Sequence, residues 1–98
     1  MTIEKNINGT ELVITLTGRL DTITAPKLEA EVKSVINGIE KLIFDFTELE
    51  YISSAGLRVL LGAQKIMNKQ GDMVVKNVNE TINEVFEITG FCDILTIE

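Results

Sequence analysis

The sequence predicts an α/β fold with a mixed, mainly parallel sheet, in the element order ββαβαβαβ. Two observations carry this prediction: short apolar segments alternate with segments of helical periodicity, and an Asn-Gly pair separates the first two apolar segments. Helices between strands imply right-handed crossovers and parallel neighbours, whereas the first hairpin adds one antiparallel strand. The chain has 98 residues, enough for one domain with its own core, and we expect a single domain over residues 1–98.

The first three elements follow from local signals. Asn8-Gly9 predicts a β-hairpin within the first twenty or so residues, because both positions tolerate φ > 0. Apolar side chains then alternate over residues 12–16, as in a strand with one buried face. Residues 24–37 carry an apolar stripe of helical period, with Thr24 as the predicted cap.

The remaining elements alternate in type. Residues 41–46 form a nearly continuous apolar run, typical of a strand buried on both faces. A helix is predicted from Ser54 to about Gln70, and Gly71 ends it. The last three predicted elements are a strand at residues 73–75, a helix capped by Asn79 and ended by Gly90, and a strand at residues 94–97.

Composition excludes several classes of function. Nine Lys+Arg against fifteen Asp+Glu give a net charge of −6, which disfavours binding to nucleic acid or anionic membranes. The chain has no histidine and one cysteine, which removes His-based catalysis and Cys-cluster metal sites. Neither phosphate-loop spacing of glycines occurs. We therefore expect no enzymatic activity, no metal and no cofactor.

The location is predicted from what the hydropathy pattern lacks. No apolar run approaches the roughly 18 residues of a transmembrane segment. The sequence at Met1–Lys5 does not begin an apolar signal-peptide segment. We expect a cytoplasmic protein without direct membrane insertion.

A serine pair stands out where the second helix begins. In a parallel sheet, sites gather beyond the carboxyl ends of strands, here Asp21-Thr22 and the region that ends with Ser53-Ser54. One serine could be an ordinary N-cap that accepts a backbone N–H. Alternatively, a hydroxyl is presented at a helix N-terminus, where free N–H groups and the dipole stabilise an added phosphate. The two interpretations are compatible.

The same helix has an unusual face of small residues. Ala55, Val59 and Gly62 lie along one side, and Gly56 and Gly62 are poor helix formers. Such a face permits close approach of another backbone. That backbone is either the protein's own sheet or a partner.

Three charged residues have two interpretations each. Asp21 and Asp45 could hold a metal or orient a hydroxyl, or they could cap turns. Arg58, one turn after Ser54, could pair with a phosphate or be an ordinary solvated arginine.

The chain resembles the STAS domain of the anti-sigma factor antagonist family over essentially its whole length. The resemblance rests on an ordered set of segments, namely Leu16–Asp21, Phe44–Phe46, Ser53–Leu61, Gly71–Val75 and Val85–Phe91. The resemblance implies a cytoplasmic switch. Its unphosphorylated form binds an anti-sigma factor that is also a serine kinase, the kinase phosphorylates one serine to end binding, and a phosphatase resets the switch.

Aligning Gly56-Leu57 with the family pattern Asp-Ser-(Ser/Thr)-Gly-Leu implies that Ser54 is the phosphoacceptor. Ser53 then stands at the family's aspartate, which leaves it as a rival acceptor, and Ala55 stands at the Ser/Thr position. The partner-binding residues expected from this alignment and the strand-end analysis are Asp21, Thr22, Ser53, Ser54, Ala55, Gly56, Arg58, Val59 and Gly62.

A second function remains open. Many relatives continue into a fourth helix beyond the position of Glu98, and some STAS domains are attached to anion transporters or lipid-transport complexes. The alternative is therefore a constitutive STAS scaffold in another complex, with Ser54 serving only as a helix cap.

Overall fold

The computed structural model describes residues 1–98, and it follows the predicted order as far as the third helix. The elements are β1 (Thr2–Asn8), β2 (Glu11–Leu20), α1 (Ala25–Val35), β3 (Lys41–Ile52), α2 (Ser54–Gln70), β4 (Asp72–Lys76) and α3 (Glu80–Thr89). The strands lie in the order β1-β2-β3-β4, with β1 antiparallel to β2 and the other neighbours parallel. The predicted mixed α/β class is confirmed. No helix combines the length and the apolarity needed to span a membrane.

One apolar core joins the three helices to one face of the sheet. The alternation in β2 buries Leu12, Ile14 and Leu16 completely, and the same cluster includes side chains from every helix. Since β2-α1-β3 and β3-α2-β4 advance in the same direction across the sheet, right-handed crossovers place α1 and α2 on the same face. A common cavity lined by α1 and α2 agrees with that arrangement.

The hairpin forms where Asn8-Gly9 predicts it, with a shift of one residue. Asn8 is the last residue of β1 and pairs with Glu11, so the turn consists of Gly9 and Thr10. Gly9 has φ +63°. That places glycine at the first central position, as in a type II′ turn, rather than an Asn-Gly pair at both central positions.

Strand β3 is twice as long as its apolar run predicts. It continues to Ile52 through the mostly polar residues 47–50, because two register shifts against β2 accommodate two extra residues of β3. Asp45 therefore lies seven residues before the end of the strand, away from Ser53-Ser54.

Asp45 holds the connection between β3 and the residues that follow β4. Its Oδ1 accepts hydrogen bonds from the Thr47 backbone N–H at 3.0 Å, the Thr47 hydroxyl at 2.6 Å and the Asn77 side-chain amide at 3.0 Å. These bonds, with that of Asn77 the largest cause, lower the pKa of the Asp45 carboxyl below its ordinary value. Asp45 thus fixes the irregular part of β3 to the bend at Asn77, a structural role that is closer to the turn-capping interpretation than to a metal site.

The predicted last strand at residues 94–97 does not form. After Gly90, in the left-handed region at φ +80°, the chain makes a 3-10 turn over Phe91–Asp93. Leu95 enters the core, and Ile97 makes a single parallel bridge to Val75. The backbone N–H groups of Ile94 and Leu95 donate back to the Phe91 carbonyl oxygen, at 3.0 and 2.8 Å, so they do not pair with β4 and one bridge remains.

Both ends of α2 are fixed by close contacts. At its C-terminal end, the Gln70 side-chain amide donates to the carbonyl oxygens of Ile36 and Ile39, both at 2.7 Å. The next residue, Gly71, passes so close to Glu40 that a Cβ on Gly71 would lie 1.8 Å from the Glu40 carbonyl oxygen.

At the N-terminal end of α2, a Cβ on Gly56 would lie 2.7 Å from Leu20 Cγ and 2.8 Å from Ile52 Cγ1. The first turn of α2 therefore lies directly on the ends of β2 and β3.

Gly56→Ala is expected to destabilise the fold, because neither branched side chain below it has room for a methyl group. We expect a loss of about 1–3 kcal/mol in the free energy of unfolding, typical of overpacking, measured by urea denaturation. Gly62→Ala is the matched control: a Cβ there meets nothing within 4 Å, so helix propensity should stabilise this variant by up to about 1 kcal/mol. Equal effects of the two variants would contradict the close packing.

Asp45→Asn is expected to change the pH dependence of stability. Because the folded carboxyl has a lowered pKa, its ionised form stabilises the fold above the ordinary carboxyl pKa, and this contribution is lost as pH falls through the folded pKa. Asp45→Asn should therefore be less stable than the parent at pH 7, and the difference should shrink between about pH 5 and pH 3. Urea denaturation at each pH measures it. Asp93→Asn, at an exposed carboxylate with no hydrogen bond, is the control, and a constant difference for Asp45→Asn would refute the account.

Candidate functional site

The candidate site lies where β2 and β3 end side by side. Leu20 and Ile52, the last residues of these parallel strands, are register partners. The Ser53 backbone N–H continues the ladder by donating to the Leu20 carbonyl oxygen at 2.9 Å. The two segments that follow, Asp21–Thr24 and Ser53-Ser54, consequently begin next to each other, as expected for carboxyl ends of adjacent parallel strands.

Asp21 shapes the first of these segments. Its Oδ1 accepts hydrogen bonds from the backbone N–H groups of Ile23 and Thr24, both at 3.0 Å. The bond from the Thr24 N–H is the largest cause of a lowered pKa at this half-buried carboxyl. The predicted cap by the Thr24 side chain is wrong: its hydroxyl donates instead to the Arg19 carbonyl oxygen at 2.8 Å. Thr24 keeps the N-cap position without a side-chain cap bond. The Asp21 carboxylate instead holds the turn before α1, because it accepts from two free N–H groups of that turn at once.

The two adjacent serines have different environments. Ser53 is the N-cap of α2, with an extended backbone, and its Oγ accepts a long hydrogen bond of 3.4 Å from the Gly56 N–H. Ser54 is the first residue of the helix, it is exposed, and its hydroxyl forms no hydrogen bond within the chain. The capping role therefore falls to Ser53, and the interpretation of Ser54 as only a cap does not fit this geometry. Ser54 Oγ is free to react at the positive end of the helix dipole.

Four of the expected partner-binding residues line one cavity beside the serines. Thr22, Ala55, Arg58 and Val59 surround a space of about 190 Å³ that lies between the start of α1 and the first turns of α2. A smaller apolar cavity continues along the same two helices and is lined by Val59 and Gly62. On the small-residue face of α2, Gly62 is exposed and Ala55 is half-buried beside this groove, whereas Val59 is buried and belongs to the core, with only its edge on the groove wall.

Two of the expected residues have packing roles. Gly56 is buried under the first turn of α2, where only a glycine fits above Leu20 and Ile52. Asp21 holds its turn through Oδ1. Both shape the surface that Thr22 and Ser54 present.

The polar groups at this edge form neither a metal cluster nor a serine–base pair. No three His, Cys, Asp or Glu side chains of the chain converge as metal ligands would. The hydroxyl of Ser54 has no general base within hydrogen-bonding distance in the chain.

Two features of this edge were missed by sequence reasoning. Ile23, in the turn held by Asp21, is 87% exposed, so an aliphatic side chain projects from this edge. The Arg19 guanidinium stacks over the Tyr51 ring at 4.3 Å from its centroid. The sequence did contain a signal for the exposed Ile23, since it is an isoleucine between two threonines. The stacking of Arg19 on Tyr51 follows only from the register of β2 and β3, which the sequence does not show.

Known proteins similar to this chain include curated antagonists. The anti-sigma-B factor antagonist of Listeria monocytogenes is 39% identical over 88 residues, which is 87% of this chain and 76% of that protein. An anti-sigma factor antagonist from Mycobacterium paratuberculosis has a similar structure, with a TM-score of 0.88, 22% identity, and coverage of 98% of this chain and 83% of that one.

The fold is also that of SpoIIAA of Bacillus in its phosphorylated form, with a TM-score of 0.78 and 21% identity over 99% of this chain and 91% of that one. The model of the STAS domain family matches residues 2–98, nearly the whole chain. The chain therefore belongs to the STAS domain family.

Proposed function

We propose that the chain is an anti-sigma factor antagonist whose binding is switched off by phosphorylation of Ser54. Unphosphorylated, it binds an anti-sigma factor that is also a serine kinase. The kinase then phosphorylates Ser54 and releases the antagonist, and a serine phosphatase restores it. The protein acts in the cytoplasm by binding, without catalysis of its own.

One observation carries the proposal: Ser54 has an exposed, unbonded hydroxyl at the first position of α2, and the neighbouring serine already fills the N-cap. A kinase needs a hydroxyl that its active site can reach without unfolding the substrate protein. Ser53 is a poorer acceptor, because phosphorylation there would disturb the hydrogen bond to Gly56 and the junction between β3 and α2.

The known relatives support the same role. The 39% identical Listeria protein is named as an anti-sigma-B factor antagonist, and SpoIIAA of this fold has been solved both unphosphorylated and phosphorylated. In this chain, Ser53 stands where the family pattern has an aspartate, so its helix cap is neutral before phosphorylation.

The fold is expected to tolerate a phosphate on Ser54. The dipole and the free N–H groups of the first turn favour it by roughly 0.3–1 kcal/mol. Asp45, whose repulsion would oppose the phosphate, lies seven residues before the end of β3 and is bonded to Thr47 and Asn77. Repulsion from the half-buried Asp21 carboxylate is partly screened by solvent and salt. The net change should be about 1 kcal/mol or less.

Binding is expected to respond much more strongly than folding. A partner that closes over the groove lined by Thr22, Ala55, Arg58 and Val59 must cover the neighbouring Ser54. A phosphate of about −1.5 to −2 charge would then lose its water, and the desolvation of such an ion costs several kcal/mol, which one neighbouring arginine offsets only in part. The modification thus ends binding while the free chain stays folded.

Variants of Ser54 test the switch against a purified anti-sigma factor kinase from the organism that carries this chain. Ser54→Asp should remain folded and bind at least about a hundredfold more weakly, by calorimetry, because of the desolvated charge. Ser54→Ala should bind as the parent does and resist phosphorylation. Ser34→Asp, at an exposed serine of α1, adds the same charge elsewhere and is the control. Parent-like binding by Ser54→Asp would contradict the proposal.

Gly62→Leu tests whether the groove between α1 and α2 is the binding surface. Gly62 is exposed and a Cβ there meets nothing, so the fold should keep its stability to within about 1 kcal/mol. The larger side chain would fill the groove and should weaken binding to the same kinase about tenfold or more, since overpacking costs about 1–3 kcal/mol. Unchanged binding would remove Gly62 from the interface, and unfolding would place it in the core.

A further inference from the structure

The charges of this acidic chain are unevenly distributed among its helices. Helix α2 has three cations and no carboxylate, although the chain as a whole carries −6. Helix α3 has three glutamates and no cation, and α1 has two lysines and two glutamates. α2 is therefore the one helix with a net positive charge.

The three cations of α2 form a single stripe. Arg58, Lys65 and Lys69 are separated by seven and four residues, so at 3.6 residues per turn they lie within about 40° of one another around the helix axis. All three side chains are exposed, and none takes part in an ion pair. We call Arg58, Lys65 and Lys69 the cationic stripe.

Ser54 and Gly62 belong to the same side of the helix. Ser54 precedes Arg58 by one turn, and Gly62 lies between Arg58 and Lys65. The apolar groove borders the stripe on the α1 side, where Val59 and Ile66 form part of its wall. On the opposite rim, Glu29 and Lys33 pair with each other at 3.5 Å. Arg58 lines the groove without an ion pair, and Lys65 and Lys69 continue the row of cations outside it.

We propose that the cationic stripe docks an acidic surface of the partner protein, while the groove beside it takes apolar side chains from that partner. The proposal rests on the proposed function and names the chemistry of the partner's surface. Unpaired cations beside an apolar groove complement an amphipathic segment with carboxylates along one side.

Phosphorylation acts on the stripe directly. A phosphate on Ser54 lies one helical turn from Arg58, within reach of its guanidinium. It brings about −1.5 to −2 charges to a surface of three cations, so most of the attraction for an acidic partner is cancelled. The phosphate and the partner compete for the same arginine.

The cationic stripe has too few cations to bind an anionic membrane or a nucleic acid. Recognition of anionic lipid takes clusters of about 4–8 Lys/Arg, and nucleic-acid binding neutralises about 6–10 phosphates, whereas this surface offers three cations on a chain of −6. An acidic protein surface needs fewer cations, since apolar contacts in the groove supply the rest.

The test compares two double variants of equal charge. Lys65→Glu/Lys69→Glu reverses the stripe, and Lys27→Glu/Lys41→Glu makes the same change at exposed lysines of α1 and β3 that line other cavities. The probe is the purified anti-sigma factor kinase, and association rates are measured by stopped flow from low to high salt. The stripe variant should associate about tenfold or more slowly than the control variant at low salt, and the two should converge at high salt.

Each outcome decides between the proposals. If the parent binds no such kinase, the proposed function fails and the stripe proposal falls with it. If the parent binds and the two double variants associate equally fast, only the stripe proposal is overturned. Lys65→Gln/Lys69→Gln repeats the test with a milder change, and thermal unfolding checks that each variant folds. Binding of the parent to phosphatidylserine vesicles or to RNA, lost in the stripe variant while kinase binding is unchanged, would also overturn it.

Discussion

The contact of Gly56 with the ends of β2 and β3 is the constraint on which the site depends. A Cβ at this position would lie within 3 Å of both Leu20 and Ile52, so the first turn of α2 approaches the sheet only because the residue is glycine. That approach fixes where the helix starts. With the start fixed, Ser53 becomes the cap and Ser54 the first exposed residue of the helix. Removing the close contact would move both hydroxyls relative to the turn held by Asp21.

The same constraint connects stability with regulation. Gln70 and Gly71 fix the far end of α2 to Glu40 and the end of α1, so the helix is held at both ends while its outer side remains uncovered. A rigid helix with a free outer side offers a partner a surface that loses little conformational freedom on binding. A phosphate at its N-terminus then changes the charge of that surface without having to change the fold.

Much of this arrangement could be predicted from the sequence, because local signals and packing agree in most elements. Periodicity and the cap at Asn79 predicted the helices, and the apolar alternation predicted β2. The errors arose where tertiary contacts override local signals. Two extra residues let β3 run through a mostly polar segment, and the 3-10 turn after Gly90 draws the N–H groups of Ile94 and Leu95 back to Phe91, away from the sheet. Which of the two serines caps α2 depends on where the helix begins in the fold. Because Ser53 and Ser54 are the same residue type, the sequence does not distinguish them as caps.

The central claim is that Ser54, and not Ser53, carries the regulatory phosphate. The most direct measurement is tandem mass spectrometry of the chain isolated from its own cells, with the pool bound to the anti-sigma factor and the free pool analysed separately. The account predicts an unmodified bound pool and a free pool that contains phosphate on Ser54 alone. Phosphate on Ser53, or phosphorylated Ser54 in the bound pool, would contradict it.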